Sequence, residues 1–318
     1  MLNFYKIAKN TFIESIREPI FFLLLLTALV LIGNFPFMTM FVFFDQVKLV
    51  VDSSMATTLL FGLFAAVLSS SHTVSREMRN GTVLLLMSKP VTRLSFITAK
   101  MAGIMAAVIL FVFICNSASF VSVYIAKDQF HLDMAVYYAF FTMLSIGAVI
   151  GMVSNYLYNK PFPSVATAGT AVMIPLLAIF CTVFRPAPEL DMQSYLYAML
   201  LLFFSVSTMA AITVVFATRL EVVANLTITS CIFFMGLISN YLFMRDTGSE
   251  ILNSLLRVFY AILPNWQFFW LADALASKQS IPFSYVAWSF VYVILYIFFC
   301  AIWAVGIFKN KEIASDTR

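Results

Sequence analysis

The chain has 318 residues, of which 62% are hydrophobic and only 11% are Asp, Glu, Lys or Arg. Soluble domains contain about 45–50% apolar and about 25% charged residues, so this composition excludes a soluble enzyme or binding module and indicates an integral membrane protein. The formal net charge is +4, but the sequence offers no soluble basic patch with interleaved aromatic residues, so nucleic acid is not an expected partner.

Residues 1–18 precede the first long apolar run and have the pattern of an amphipathic helix. Its apolar face comprises Tyr5, Ala8, Phe12 and Ile16, and its polar face comprises Lys6, Asn10, Glu14 and Arg17. This pattern predicts an interfacial helix along the membrane surface, although a plain cytosolic extension of the first span fits the same residues. The apolar run that follows is too long for a secretion signal and lacks a small-residue cleavage site, so it is a retained first span.

Eight apolar segments are long enough to cross a bilayer as helices, which takes about 20 residues each. They lie at residues 19–44, 54–71, 100–126, 134–158, 163–184, 194–218, 222–244 and 283–308. In these runs apolar residues are continuous and do not alternate with polar ones, which is not the pattern of strands in a membrane barrel. A chain segment in lipid must form its backbone hydrogen bonds within itself unless it belongs to a closed β-barrel, so each run predicts a helix. The predicted fold is an all-α integral membrane protein with a single transmembrane domain over residues 1–318.

The orientation follows from the basic residues in the short loops, which concentrate on the cytoplasmic side of membrane proteins. With a cytoplasmic N-terminus, thirteen of the nineteen Lys and Arg residues fall inside and six fall outside. This distribution predicts that both termini are cytoplasmic. It also accounts for the net positive charge as a topology signal.

Residues 72–99 are the most informative segment, because basic residues gather there between two apolar spans. Ser75 is predicted to cap a short helix that begins with Arg76 and Glu77, and Asn80-Gly81 is a local breaker. The apolar run after Thr82 then predicts a short amphipathic element on the cytosolic surface. A basic loop that only obeys the positive-inside rule has the same charges.

The order of residues in this segment resembles the permeases of type-2 ABC transporters. The matching positions are Glu77, Gly81, Thr82, Ser88, Pro90, Val91, Arg93 and Lys100. Residues 216–226 (FATRLEVVANL) are similar to the short cytoplasmic turn of that family before a late span. Residues 262–275 (ILPNWQFFWLADAL) resemble its C-terminal part, especially in permeases related to multicopper-enzyme and nitrous-oxide-reductase maturation.

The resemblance implies a permease subunit of an ATP-driven exporter in the plasma membrane, here the bacterial inner membrane. It implies a cytosolic ABC ATPase subunit that binds the ATP, and a second permease copy or paralogue in a dimer. Coupling to the ATPase is expected at Glu77, Arg79, Gly81, Thr82, Pro90 and Arg93. A secondary cytosolic contact is expected at the turn with Arg219 and Glu221. The uncharged spans favour an apolar or amphipathic substrate over an ion.

The chain departs from the family in its number of spans, since the family usually has six. Residues 134–184 are therefore expected to be an added helix pair, in which Gly147 and Gly151 form a GxxxG pair for close helix packing. Residues 245–282 are expected outside, as short re-entrant helices, with Trp266 and Trp270 suited to the membrane interface.

Catalytic, cofactor-binding and metal-binding residues are not predicted. The sequence has no phosphate-binding GxxxxGK[ST] motif, and its four cysteines lie in different apolar segments without a CxxC pair. We therefore expect no enzyme activity and no cofactor in this chain itself. Two other classes share the composition: an ATP-independent transporter or channel, and a non-transporting membrane scaffold.

Overall fold

The computed structural model describes residues 2–41, 46–79, 92–126, 132–186, 188, 190–245, 248–276 and 279–315. The regular structure of these residues is helical and includes no strand, which confirms the predicted all-α fold. The α-helices are α1 Leu2–Arg17, α2 Pro19–Met38, α3 Gln46–Ser70, α4 Arg76–Arg79, α5 Arg93–Ile125, α6 Met134–Tyr158, α7 Phe162–Phe184, α8 Met192–Ala217, α9 Val222–Leu237, α10 Ser239–Phe243, α11 Glu250–Ile262, α12 Ala272–Ala276 and α13 Phe283–Ser315.

Within these described ranges, seven helices are long and apolar enough to cross a membrane. They are α2, α3 together with a π-helical turn at Ser71–Ser75, α5, α6, α7, α8 and α13. This confirms a multi-pass membrane protein. The helix α6 has the predicted ends at residues 134 and 158. The helix α5 begins at Arg93, seven residues before the predicted span, because the Thr92 side chain caps it by accepting a hydrogen bond from the Ser95 amide.

The predicted span at residues 222–244 is interrupted. Its first part, α9, has 16 residues and is about 24 Å long, which is shorter than the bilayer core of about 30 Å. The helix stops at Ile238, whose φ of −107° and ψ of 16° are not helical, and the five-residue α10 follows. The structure thus replaces this seventh predicted span with two shorter helices.

The position at which α9 ends is determined by contacts with a segment later in the chain. Gly236 lies directly against the Pro264 carbonyl and the Trp266 indole, where a larger side chain would collide. The Gln267 side-chain amide donates a 2.7 Å hydrogen bond to the Leu237 carbonyl, which no longer has a helical partner. The helix therefore terminates where the 264–267 segment crosses its end.

The centre of the bundle comprises α3, α5 and α8, which contact one another and supply most of the buried residues. One apolar core joins these three helices to α13. A second core joins α5 to α2, α6 and α7. Because α5 contributes to both cores, it holds the two halves of the bundle together.

The helices α6 and α7 pack closely along their small residues. A Cβ atom at Gly147 would lie 2.8 Å from the Thr170 side chain, and one at Gly151 would lie 2.8 Å from the Ala166 Cβ. This confirms the close packing predicted for the GxxxG pair. Small residues let the two backbones approach, which is how apolar helices associate in lipid.

The N-terminal helix α1 is not a straight extension of α2, because Glu18 between them has an extended conformation. Thr11 and Ser15 are buried against α5, and a Cβ at Gly103 would lie 2.5 Å from the Ala8 carbonyl oxygen. Of the predicted apolar face, Phe12 and Ile16 are partly buried against the second core, whereas Tyr5 is exposed. Thus α1 packs against α5 along most of its length and exposes Tyr5 near its N-terminus.

Candidate functional site

Side-chain contacts divide the loops between two ends of the bundle. We call one of them the basal end. Four segments meet there: α1, the Ser71–Ser75 turn, the first turns of α5 and the 218–221 turn. The Arg219 guanidinium donates to the Ile307 carbonyl at 2.8 Å, so the last helix also finishes at this end. At the opposite end, Arg185 pairs with Asp133 at 3.1 Å. The basal end therefore collects the loops predicted to be cytoplasmic, while its assignment to the cytoplasm stays a prediction.

Lys100 is the central residue of the basal end. It is only 3% exposed, although it carries a charge. Its Nζ atom donates to Glu77 Oε1 at 2.7 Å and to the Thr73 carbonyl at 3.3 Å, and it lies 3.7 Å from Glu14 Oε2. Buried charges are costly unless they are paired and hydrogen-bonded, and Lys100 has both kinds of partner. The ammonium thereby joins α5 to α4, the π-helical turn and α1.

Glu14, which lies on α1, contacts the same lysine as Glu77 does. Burial raises the pKa of its carboxyl above the ordinary value of 4.5, and the nearby Lys100 opposes that rise. The carboxylates of Glu77 and Glu18 raise the pKa further, while Arg76 lowers it. The ionisation of Glu14 therefore depends on the charges around Lys100.

A second contact between side chains lies at the junction of α1 and α2. His72 Nδ1, in the π-helical turn, lies 3.5 Å from Glu18 Oε1. Together with the Lys100 contacts, this pair ties the π-helical turn to α1 at two points. Single π-helical turns within α-helices occur frequently at functional sites, because they change the direction of the side chains that follow.

Hydrogen bonds connect the same turn to the 218–221 segment. Ser75 Oγ donates to the Leu220 carbonyl at 2.9 Å, so Ser75 does not cap a new helix as the sequence predicted. The helical path instead runs without a break from α3 through the π-helical turn into α4. Asn225 adds side-chain contacts to Ser70 at 3.4 Å and Ser71 at 3.2 Å, and it is fully buried.

The structure places some of the predicted coupling residues and not others. Glu77 is at the basal end, but it faces Lys100, with 22% of its side chain exposed. Arg93 is exposed at the start of α5, and Arg219 and Glu221 are exposed beside the Ser75 contact. The backbone of Arg79 is helical. The predicted residues Gly81, Thr82 and Pro90 lie outside the described residues, as do the other positions of 80–91.

The sequence analysis did not predict the contacts among the ionisable side chains at the basal end. These side chains are Lys100, Glu14, His72 and Glu18. Lys100 was counted only as a loop charge and as a position in the resemblance. A signal did exist, because a lysine seven residues into a capped apolar helix needs a nearby acid. The sequence did not show which acid.

At the opposite end, Trp266 is buried inside the protein, and its predicted place at the membrane interface stays a prediction. It is 1% exposed and packs against Phe233 and Phe269, with ring centroids 6.1 and 6.4 Å apart. Trp270 is partly buried beside a cleft. The 245–282 segment consists of short helices among its described residues, in keeping with the predicted length of its elements.

Comparison of the chain with protein-family models, with curated proteins and with solved structures gives no match. Within the described part of the chain, no group of three or more His, Cys, Asp or Glu side chains is placed to hold a metal ion. The contacts at the basal end join α1, the π-helical turn, α4, α5 and the 218–221 turn.

Proposed function

We propose that this chain is the permease subunit of an ATP-driven exporter, with the ATPase in a separate cytosolic subunit. The observation that carries the proposal is the buried Lys100–Glu77 ion pair at 2.7 Å. It fixes one flank of the 72–99 element to the helix that belongs to both apolar cores. A partner that moved this element would therefore move α5.

The other flank of the element gives the partner a surface. Arg93 is exposed at the first residue of α5, and Arg76 is exposed at the first residue of α4. Arg93 thus begins a helix that runs into the bundle, and Arg76 lies on the four-residue helix that continues α3 beyond the π-helical turn. Glu77, in contrast, faces inward to Lys100, so its proposed role is to transmit movement rather than to contact the ATPase.

The N-terminal helix and the 218–221 turn complete the proposed coupling surface. Glu14 links α1 to Lys100 at 3.7 Å, and Ser75 links the Leu220 carbonyl to the end of the π-helical turn. Arg219 and Glu221 are exposed on the same turn. Movement of the 72–99 element would therefore be shared by four segments of the basal end.

The proposal places ATP hydrolysis outside this chain, because its sequence has no phosphate-binding loop. It also assigns the basal end to the cytoplasm, on the distribution of thirteen of nineteen basic residues. A dimer with a second permease copy or paralogue completes the proposed transporter.

The test is co-purification of an ATPase with the tagged full chain from its native membrane, followed by charge reversal on the proposed surface. Arg93→Glu should reduce ATPase recovery, because a like charge then faces the acidic partner surface. Lys160→Glu is the matched control, since Lys160 is an exposed lysine in the turn between α6 and α7. Normal membrane insertion of both variants is the condition for comparison.

Recovery of an ATPase with the wild-type chain and with Lys160→Glu, but not with Arg93→Glu, supports the proposal. The absence of any ATPase from the wild-type preparation would favour an ATP-independent transporter or a scaffold. Equal recovery with both variants would remove Arg93 from the coupling surface.

A further inference from the structure

An apolar cavity of about 470 Å³ lies between the membrane-spanning helices α8 and α13 and the shorter helices α9, α10 and α11. Each of these five helices contributes side chains to its wall, among them Phe216, Ile232, Phe243, Phe259 and Trp303. Tyr296 also lines the cavity, but its hydroxyl donates a 3.0 Å hydrogen bond to the Ile262 carbonyl. The apolar cavity therefore offers little to bind water, and its volume is within the range of ligand sites.

The apolar cavity opens at the outer surface of the bundle. Met235, Phe259 and Trp303 line it and are also exposed at that surface. Trp303 belongs to α13, which is long and apolar enough to cross a membrane, so lipid is the expected surrounding of the opening. An acyl chain is therefore the occupant that matches both the lining and the surroundings of the cavity.

A smaller cleft of about 200 Å³ adjoins the apolar cavity, and we call it the arginine cleft. Its lining residues are Phe243, Met244, Arg245, Asn253 and Arg257. Phe243 lines both spaces, and its ring stacks on that of Phe259 in the cavity wall with centroids 6.3 Å apart. A ligand with its polar group in the arginine cleft can therefore place an attached apolar chain in the cavity.

Arg245 and Arg257 supply the positive charge of the arginine cleft. Both residues are exposed, and neither guanidinium forms an ion pair or a hydrogen bond with another described residue. Glu250, the acid of α11, lies two helical turns before Arg257, about 10 Å along the helix axis. A guanidinium presents paired donors that match the oxygens of a phosphate. Two guanidinium groups in one cleft therefore favour a phosphate group as the polar part of the ligand.

The helix α11 has the character of an interfacial helix. Its residues Ile251, Leu255, Val258 and Ile262 recur at helical spacing and are each at least half exposed, and no residue of α11 is buried. Arg257 lies on a different side of this helix from that apolar stripe. Such helices lie in the membrane interface, with their apolar side among acyl chains and their basic residues near the headgroups. The position of Arg257 therefore suits a lipid phosphate.

We propose that the apolar cavity and the arginine cleft together bind one glycerophospholipid, with an acyl chain in the cavity and the phosphate between Arg245 and Arg257. The bound lipid would join α11, which has no buried residue of its own, to the spans α8 and α13. The inference does not rest on the proposed transport function, because lipid binding requires no ATPase.

The experiment is native mass spectrometry of the delipidated full chain in detergent, titrated with dioleoyl phosphatidylglycerol. Dioleoylglycerol is the matched ligand, because it has the same two acyl chains and no phosphate. We expect saturable binding of the phospholipid, about fivefold tighter than that of dioleoylglycerol, as two exposed charge contacts would give. Equal affinity for the two lipids would overturn the role of the arginines. An excess of inorganic phosphate should not displace the phospholipid, and displacement would show a site for the free anion instead.

Charge removal tests the arginine cleft. The double variant Arg245→Gln/Arg257→Gln should weaken binding of the phospholipid by about fivefold and leave that of dioleoylglycerol unchanged. Arg257→Gln alone should have a smaller effect in the same direction. Lys160→Gln is the control for the single variant, because Lys160 is exposed in the turn between α6 and α7. Unchanged phospholipid binding in the double variant, or an equal loss in Arg257→Gln and Lys160→Gln, would contradict the proposal.

Larger side chains test the apolar cavity. Met235→Trp should weaken binding of both lipids severalfold, because the exposed Met235 lines the cavity and an indole would occupy part of it. Met152→Trp, at an exposed position of α6, is the matched control and should leave binding unchanged. Leu256→Trp is a second blocking variant at a partly exposed lining position if the first fails to fold. Equal effects of the lining and control substitutions would refute the location.

Discussion

The substitution Lys100→Met tests the buried ion pairs at the basal end. Methionine keeps the length and the apolar stem of the side chain but removes the ammonium. Glu77 would lose its 2.7 Å partner and Glu14 its partner at 3.7 Å. Two carboxylates would then face each other in a partly buried site without the charge that joins them. We expect a large loss of stability, because the substitution removes the buried ammonium that holds these two carboxylates together.

The expected magnitude follows from the exposure of the partners. Breaking a fully buried pair costs about 3–5 kcal/mol. Lys100 is nearly fully buried, but the side chains of Glu77 and Glu14 are 22% and 36% exposed and keep some hydration. The lower end of that range applies, so the free energy of unfolding should fall by about 3 kcal/mol.

The assay is equilibrium unfolding in mixed micelles with increasing sodium dodecyl sulfate, followed by tryptophan fluorescence. Lys48→Met is the matched control, because Lys48 makes a 3.7 Å pair with an Asp273 that is 86% exposed. That substitution should cost at most about 1 kcal/mol. Lys100→Met/Glu77→Gln should cost less than the sum of its single substitutions. Equal losses for Lys100→Met and Lys48→Met would refute the reasoning.

Three further predictions concern helix packing, pH and topology. Gly151→Leu should destabilise the α6–α7 pair by about 1–3 kcal/mol through overpacking, whereas Gly306→Leu, in open space, should be nearly neutral in the same unfolding assay. Because the folded pKa of Glu14 is raised, the unfolding free energy of the wild-type chain should fall as the pH rises from 4.5 through that value, and Glu14→Gln should lack this decrease. A cysteine at Gln193 should react with an impermeant thiol reagent in intact cells, and one at Asn159 should be protected.

The controls for these experiments come from the same chain. The labelling needs a background in which the exposed Cys231 is replaced by serine. Labelling at position 159 with protection at 193 would reverse the proposed orientation. Parallel pH profiles for the wild-type chain and Glu14→Gln would show that this carboxyl does not titrate differently on folding.

The spans were predictable because lipid imposes their length and composition. A helix such as α6 must satisfy every backbone group within itself, so its two ends follow from where the apolar run starts and stops. The close contact of α6 with α7 was also visible locally, as the Gly147 and Gly151 spacing. These features depend on neighbouring residues in the chain.

The remaining features depend on residues that are distant in the chain. The end of α9 at Leu237 is fixed by Gln267, thirty residues later, and Ser75 bonds to a carbonyl 145 residues away. Lys100 pairs with Glu77 across 23 residues. Charge counting located Lys100 and Glu77 near the same end, but it gave neither their burial nor their pairing.

The order of the Lys100 partners along the chain has a consequence for biosynthesis. Glu14 and Glu77 both precede Lys100, so both acids leave the ribosome before the lysine does, since chains emerge from the N-terminus. A nascent α5 would therefore meet its counter-charges already at the membrane, which lowers the cost of inserting an ammonium near lipid. Moving either acid to a position after α5 should slow membrane integration, even where the final folded contacts could be preserved.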